Sequence, residues 1–235
     1  MGLEVQVASH PEEAVFLRRL NRFNTLVNLK GKTVQAYLPN SGRLQELLKP
    51  GNKVLIEKAE RKGGRKTGYT LIGAITQQGV KVSVDARMPN RLIAEALRQG
   101  VLPGFESYHL LEVEPIFKGS RLDLLAEAPG RKLLIEVKSC TLAKNRTALF
   151  PDAPTLRGRR HLETLVKALR EGFEAAIFFV SQRDDVSRFK PNRETDPALA
   201  EALKKACLEG VKVHAFKAMF DGLKLKLLSG IPVEV

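Results

Sequence analysis

Three charged residues sit inside apolar, strand-like runs. Asp123 lies within Ser120-Arg121-Leu122-Asp123-Leu124-Leu125, and Glu136 and Lys138 lie within Leu133-Leu134-Ile135-Glu136-Val137-Lys138. A charge inside an apolar strand is costly unless it is paired or binds something. Glu136 and Lys138 are two apart, so in a strand they share a face. Pro129-Gly130 separates the two runs as a turn. A hairpin centred there sets 128 opposite 131, and by the same count 123 opposite 136. Two carboxylates and an ammonium then meet on one face, which is equipment for holding a divalent metal against a phosphodiester. Asp123 and Glu136 are the candidate metal ligands, with the Val137 carbonyl as a third oxygen. Hard oxygen donors suit Mg²⁺ or Mn²⁺ and not Zn²⁺. Lys138 is the catalytic candidate that orients water or steadies developing charge. A structural salt bridge would use the same three residues, and their spacing alone does not separate the two readings.

The elements that must position these residues are legible around them. Asn90–Gln99 carries an apolar stripe at 92, 93, 96 and 97 and stops at Gly100, which predicts a helix. Tyr108–Ile116 reads as a strand, followed by hairpin strands near 121–127 and 132–138. Residues 142–160 read as a long polar loop. Helices are expected over Arg159–Arg170 and Ala198–Glu209, and strands over Ala175–Val180, Val211–Phe216 and Leu223–Leu228. The sum over residues 86–235 is an α/β domain with a mixed central sheet. Residues 1–85 differ: five short strand-like runs, Phe23–Leu29, Thr33–Leu38, Val54–Glu57, Thr70–Ile75 and Val80–Val84, suggest a small OB-like β-barrel. Ser41 is expected to cap a short helix ending near Leu48.

Charge points to the partner. The 235 residues hold 39 Lys+Arg against 26 Asp+Glu, a net +13, which suggests a polyanion. A thermophile surface would explain many charges but not so large an imbalance of sign. DNA, double- or single-stranded and bound without sequence preference, is the expected partner, and RNA meets the same charge requirement. Two basic stretches stand out. One is the glycine-bearing loop with Arg61, Lys62, Arg65 and Lys66, set where a barrel grips a nucleic-acid backbone or simply presents solvated charge. The other is the 142–161 stretch, with Lys144, Arg146, Arg157, Arg159 and Arg160, which begins just beyond Lys138. Asp152 within it reads first as a turn residue, with an approach to the metal as the alternative. His161 reads as a packing or hydrogen-bonding residue, and as the second-line candidate for contacting phosphate. Cys140 and Cys207 both sit in apolar surroundings and are expected to be buried thiols. The hydrophobic fraction of 43% supports a sizeable core. No apolar run approaches the roughly 20 residues of a membrane helix. Met1–Pro11 lacks a basic region followed by an apolar one, so a cytoplasmic protein is the default expectation.

The order helix, strand, strand with Asp123, strand with Glu136-X-Lys138, helix, strand resembles the core of the PD-(D/E)xK nuclease superfamily. That resemblance implies a further acid on the first helix, for which Glu95 is the candidate beside a solvated helix charge. A longer pattern is more specific. Ser120-Arg121-Leu122-Asp123, Glu136-Val137-Lys138-Ser139 and Ala148-Leu149-Phe150-Pro151-Asp152-Ala153-Pro154-Thr155 through His161-Leu162 closely resemble the sugar fermentation stimulation protein A (SfsA) family. Asn21-Arg22-Phe23 and Pro39-Asn40-Ser41-Gly42-Arg43-Leu44 resemble it too, so the likeness runs over nearly the whole chain. Tyr37-Leu38 and Ser41 depart from its pattern, where His-Cys and Thr are expected. The resemblance implies an N-terminal OB-like domain, a nuclease-like α/β domain and non-specific DNA binding, with Arg43 in the matched motif a further backbone contact. Two functions follow: a metal-dependent DNA endo- or exonuclease, or a DNA-binding regulator linked to sugar metabolism that does not cleave. The intact acidic pair and lysine favour a competent site, and no helix-turn-helix is apparent.

Overall fold

The computed structural model of the chain describes residues 2–59 and 67–235. Arg61, Lys62, Arg65 and Lys66 lie outside the described residues. A short strand, β1 (Glu4–Gln6), comes first, followed by β2 (Pro11–Asn21), β3 (Asn24–Leu29), β4 (Lys32–Tyr37), β5 (Lys53–Lys58), β6 (Tyr69–Ile75) and β7 (Lys81–Ser83). Strands β2 to β7 form one sheet in the order β4-β3-β2-β5-β6-β7, and a parallel pairing of Ala36 with Tyr69 and Tyr37 with Thr70 joins β4 to β6. That pairing closes five strands into an OB barrel, with β7 added outside the ring. Val27, Ala36, Val54, Ile56 and Leu71 fill its interior and are fully buried.

The barrel's longest strand, β2, was not expected. Its sequence, Pro-Glu-Glu-Ala-Val-Phe-Leu-Arg-Arg-Leu-Asn, buries only Ala14 and Phe16, and its register slips twice against β3. The expected helix from Ser41 to Leu48 is reduced to one turn, in which Leu44 oxygen accepts from the N–H groups of Leu47 and Leu48. Leu44 itself has φ 53°, a left-handed conformation that breaks a helix at its start. Residues 4–6 leave the barrel altogether, because β1 pairs with the last strand of the chain.

Helix α1 (Met88–Arg98) leads into the second domain. It is followed by β8 (His109–Val113), the small pair β9 (Ile116–Phe117) and β10 (Ser120–Arg121), β11 (Leu124–Ala128) and β12 (Arg131–Cys140). Then come β13 (Ala143–Lys144), β14 (Thr147–Phe150), α2 (Leu156–Arg170), β15 (Glu174–Ser181), β16 (Arg188–Pro191), α3 (Pro197–Leu208), β17 (Lys212–Phe220) and β18 (Lys224–Ile231). The central sheet has seven strands in the order β1-β18-β17-β15-β12-β11-β8. It is mixed: β12, β15 and β17 run parallel, and the outer pairings are antiparallel. Apart from the small β9–β10 and β13–β14 pairs, the order is helix α1, strands β8 and β11, long strand β12, helix α2 and strand β15, as expected from the sequence.

Alternation along β12 divides the core into two layers. Leu133, Ile135 and Val137 pack with Leu92 and Ile93 of α1, while Leu134 and Cys140 pack with Leu162 and Leu165 of α2. Glu136 and Lys138 share the α2 face by parity. Barrel residues Leu55 and Ile72 join the α1 layer, so the two domains share one apolar seam.

Two expectations fail in this domain. The stretch 142–160 is not one loop, because β13 and β14 form a hairpin whose tip, Asn145 and Arg146, has positive φ, and β14 also pairs with β16. Helix α2 begins at Leu156, so Arg157, Arg159 and Arg160 stand on its first turns. Thr155 caps α2 by accepting from Gly158 N–H at 3.0 Å, and its own N–H goes to Asp196, the cap of α3, at 2.8 Å. Cys140 is buried as expected, but Cys207 is exposed near the end of α3.

Candidate active site at the domain junction

The hairpin register agrees with the count made from Pro129-Gly130: Ala128 faces Arg131, and Leu124 faces Ile135. Asp123 stands one residue before β11, where that strand parts from β12. Its N–H still reaches Ile135 oxygen at 3.2 Å. Beyond that point the carboxylate takes the place of a ladder partner, because Asp123 Oδ2 accepts from Val137 N–H at 2.7 Å. Asp123 Oδ1 accepts from Asn90 Nδ2 at 2.6 Å. Asn90 lies in the first turn of α1, so this helix delivers an amide to the site. Glu95, the acid sought on α1, does something else. It accepts from Arg98 at 3.2 Å and Gln99 at 2.8 Å on the helix's outer side, and those partners hold its carboxyl below the usual range. Asn90 and Glu95 are five positions apart on the helix, which turns the two side chains to different faces.

Glu136 is almost wholly buried. Its Oε1 accepts from Lys138 Nζ and is bonded to His161 Nδ1 on α2. Its Oε2 is buried with no hydrogen-bond partner. Burial alone would push this carboxyl up, but the His161 hydrogen bond and the Lys138 charge prevail and hold it below the ordinary value. Asp123 behaves oppositely. Burial, then the neighbouring Glu136 charge, pushes it up to about 6 despite Lys138 and its two donors. Two acids with opposed shifts, one of them carrying an unpartnered oxygen, occupy one spot.

Two helices bring their first turns toward the site. Asn90 on α1 and His161 on α2 touch Asp123 and Glu136, so the N-terminal turns of both helices approach the carboxylates, and helix N-termini favour anions. Arg157 is exposed at its outer end and donates Nε–H to His161 Nε2 at 3.2 Å. Arg87, just before α1, was not singled out in the sequence. It grips buried Asp85 through Nε at 2.9 Å, and its side chain remains 65% exposed. The sequence signal for it is the Asp85-X-Arg87 spacing at the domain join.

The remaining candidates spread more widely. Arg43 and Arg160 are exposed, and Arg159 is half-buried with its Nε unpartnered. Lys144 and Arg146 are exposed at the β13–β14 hairpin, where Arg146 oxygen accepts from Ser187. Asp152 does not turn to the carboxylates. Its Oδ2 accepts from Leu44 N–H of the barrel at 3.0 Å, and Gly42 packs so closely that an added Cβ would lie 2.5 Å from that oxygen. Asn40 braces the same turn, accepting from Gly42 N–H at 2.8 Å and donating to Val84 oxygen at 2.9 Å. The two motif segments 39–43 and 150–155 thus meet each other and dock the barrel beside the site. Gly42→Ala is expected to destabilise the protein by about 1–3 kcal/mol, visible as a Tm lowered by about 2–4 °C per kcal/mol in thermal unfolding. An unchanged Tm would mean that this contact is loose. Gln182 makes a second bridge, donating to Asp85 oxygen at 3.1 Å and Ser139 Oγ at 2.9 Å.

The donor set fits a hard divalent cation. Glu136 Oε2 is free, and each Asp123 oxygen keeps a lone pair beyond its single hydrogen bond. Val137 turns its N–H away from β15 toward Asp123, and in an extended residue the carbonyl points to the same side. Among the described residues, no three His, Cys, Asp or Glu side chains are arranged to hold a metal by themselves. Backbone and water oxygens would complete the shell, as is usual for Mg²⁺.

Two family models match the chain. The family described as "SfsA N-terminal OB domain" matches residues 17–84, and "Sugar fermentation stimulation protein RE domain" matches residues 87–223. A sugar fermentation stimulation protein homolog of Moorella thermoacetica is 39% identical over 232 residues, covering 98% of this chain and 100% of its own. The homolog of Natranaerobius thermophilus is 43% identical over 217 residues, covering 90% of each chain. Among solved structures, that of Pyrococcus furiosus SfsA in complex with Ca²⁺ superposes with a TM-score of 0.90, at 34% identity over 100% of both chains. No described helix is long and apolar enough to cross a membrane.

Proposed function

This chain belongs to the sugar fermentation stimulation protein (SfsA) family, and from that footing we propose that its junction site is a divalent-metal-dependent nuclease centre acting on DNA. The observation that carries the reading is the unpartnered, buried Oε2 of Glu136 beside Asp123. Leaving a buried carboxylate oxygen unsatisfied costs free energy unless something binds there. The Ca²⁺ complex of the Pyrococcus relative supports a hard cation as that something.

Asp123, Glu136 and the Val137 carbonyl would hold Mg²⁺ or Mn²⁺, which would supply Lewis-acid charge at a scissile phosphate and acidify water. Lys138, whose side chain is 15% exposed, lies on Glu136 Oε1 with its remaining N–H donors free to orient an attacking water or steady developing charge. Asn90 fixes Asp123 through Oδ1, leaving Oδ2 with Val137. The outer guanidinium of Arg157, together with Arg43, Arg159, Arg160, Lys144 and Arg146, grips the sugar–phosphate backbone, and Arg61, Lys62, Arg65 and Lys66, outside the described residues, are proposed as further phosphate contacts by their charge alone. Non-specific contacts of this kind depend on salt, so DNA affinity is expected to fall by orders of magnitude between about 50 and 200 mM salt. A flat salt dependence in a fluorescence-anisotropy titration would remove the backbone-track assignment.

The test is incubation of the purified protein with plasmid and with single-stranded DNA, in Mg²⁺ or Mn²⁺, beside Glu136→Ala. Cleavage by the wild type that disappears in the variant supports the enzyme. Salt-sensitive binding with no cleavage by either protein supports the non-cleaving regulator. Cleavage that survives in Glu136→Ala overturns the site assignment.

A further inference from the structure

His161 invites a role as a phosphate contact, since it sits among the arginines at the start of α2. Its geometry is incompatible with that role. The residue is only 7% exposed, and both ring nitrogens are engaged inside the protein. Nδ1 lies on Glu136 Oε1, and Nε2 accepts from Arg157 Nε–H at 3.2 Å. Nothing on the ring is left for a substrate.

The two contacts together define what the ring does. An N–H donor on Nε2 fixes the lone pair there, so the ring proton sits on Nδ1 and is donated to the carboxylate. Lys138 Nζ donates to that same oxygen. Both donors therefore converge on Oε1, and Oε2 is left bare in a buried setting. A glutamate has three rotatable side-chain bonds, and two donors fixed to one oxygen remove that freedom.

We infer that His161 is a positioning residue that pins Glu136 by Oε1 so that Oε2 alone faces a divalent cation, with Arg157 holding the imidazole in the tautomer this requires. The inference rests on the metal reading given above. It also gives Arg157 two jobs at opposite edges of one guanidinium: Nε on the imidazole and the outer nitrogens toward a phosphate. The Thr155 cap and its bond to Asp196 fix the turn of α2 that carries both residues.

Partners one shell removed from a metal ligand are worth about 10–100-fold in metal affinity or activity. The experiment is a calorimetric titration of Mn²⁺ into wild type, His161→Leu and His161→Asn, without nucleic acid, with a crystal structure of metal-free His161→Leu. Asparagine keeps an N–H near the position of Nδ1, whereas leucine keeps only bulk. The expected result is a Kd weakened about 10–100-fold in His161→Leu and within a few-fold of wild type in His161→Asn, with the Glu136 carboxylate displaced in the leucine variant. Wild-type binding with equal affinity in His161→Leu overturns the positioning role and leaves the metal site standing. Failure of the wild type to bind Mn²⁺ overturns the metal reading and this inference with it. A properly folded His161→Leu with Glu136 unmoved contradicts the pinning even where affinity falls.

Discussion

Glu136→Gln is expected to lower metal-dependent DNA cleavage by about 10³-fold or more, because a metal ion contributes several kcal/mol of transition-state stabilisation and each 1.36 kcal/mol is tenfold in rate. The substitution is nearly isosteric. Its carbonyl can keep the Oε1 position and go on accepting from Lys138 and His161. The amide nitrogen then occupies the place of Oε2, where it presents N–H donors to a cation. The site changes from attracting a metal to repelling one while the packing around β12 and α2 is retained. Circular dichroism and plasmid cleavage at matched protein concentration check both halves. A variant that folds and still cleaves within tenfold of wild type would remove Glu136 from the reaction. A variant that fails to fold would show that the carboxylate is needed chiefly as the counter-charge to Lys138.

Asp123→Asn is expected to act in two directions at once. Asp123 is pushed up to about 6, first by burial and then by Glu136. A group whose folded pKa lies above its unfolded value binds more protons in the folded state between the two. Its favourable contribution is present below about pH 4 and is lost as pH rises through about 6, so at pH 7.5 the ionised carboxylate destabilises the metal-free protein. A shift of this size corresponds to about 1–3 kcal/mol. Asparagine removes that penalty. Its oxygen can accept from Val137 N–H, and Asn90 can turn its own amide to accept from the new N–H. Metal-free Asp123→Asn is therefore expected to melt several degrees above metal-free wild type at pH 7.5, with the difference shrinking toward pH 5. The same variant loses metal-dependent cleavage. In the wild type, cleavage is expected to rise as pH passes through about 6, since the ionised carboxylate is the form that holds a cation. Metal bound at about 100 times its Kd would add about 2.7 kcal/mol to wild-type stability and nothing to the variant. Thermal melts with and without Mn²⁺ at pH 5 and 7.5 read all of this. Equal melting of both metal-free proteins at pH 7.5 would mean that Asp123 is not strained.

The acidic pair could be read from sequence because a Pro-Gly turn fixes a hairpin count, and two-residue alternation then fixes the face. Those are local rules, and Asp123, Glu136 and Lys138 obeyed them. What lay beyond them needed contacts between distant segments. His161 and Glu136 are 25 residues apart and meet only because α2 packs across the sheet. That Asn90 and not Glu95 reaches Asp123 depends on where along α1 the site falls, and the apolar stripe of that helix fixes rotation but not position. Helix α2 starts at Leu156 rather than at the expected Arg159, which brings Arg157 into its first turn, and the cap at Thr155 that sets this start is itself held by Asp196, far along the chain. Strand β2 carries no alternating signature in the sequence because its outer face is charged and its bulges break the alternation. Asp152 looked like a turn residue, and only the docked barrel gives its carboxylate the Leu44 N–H as partner.

We propose that Asp123 and Glu136 form one divalent-cation site. Its most direct test is calorimetric titration of Mn²⁺ into the wild-type protein, Asp123→Asn and Glu136→Gln at pH 7.5, with no nucleic acid present. We predict saturable binding by the wild type and its loss in both variants, each of which remains folded. No binding by the wild type, or undiminished binding by either variant, would contradict it.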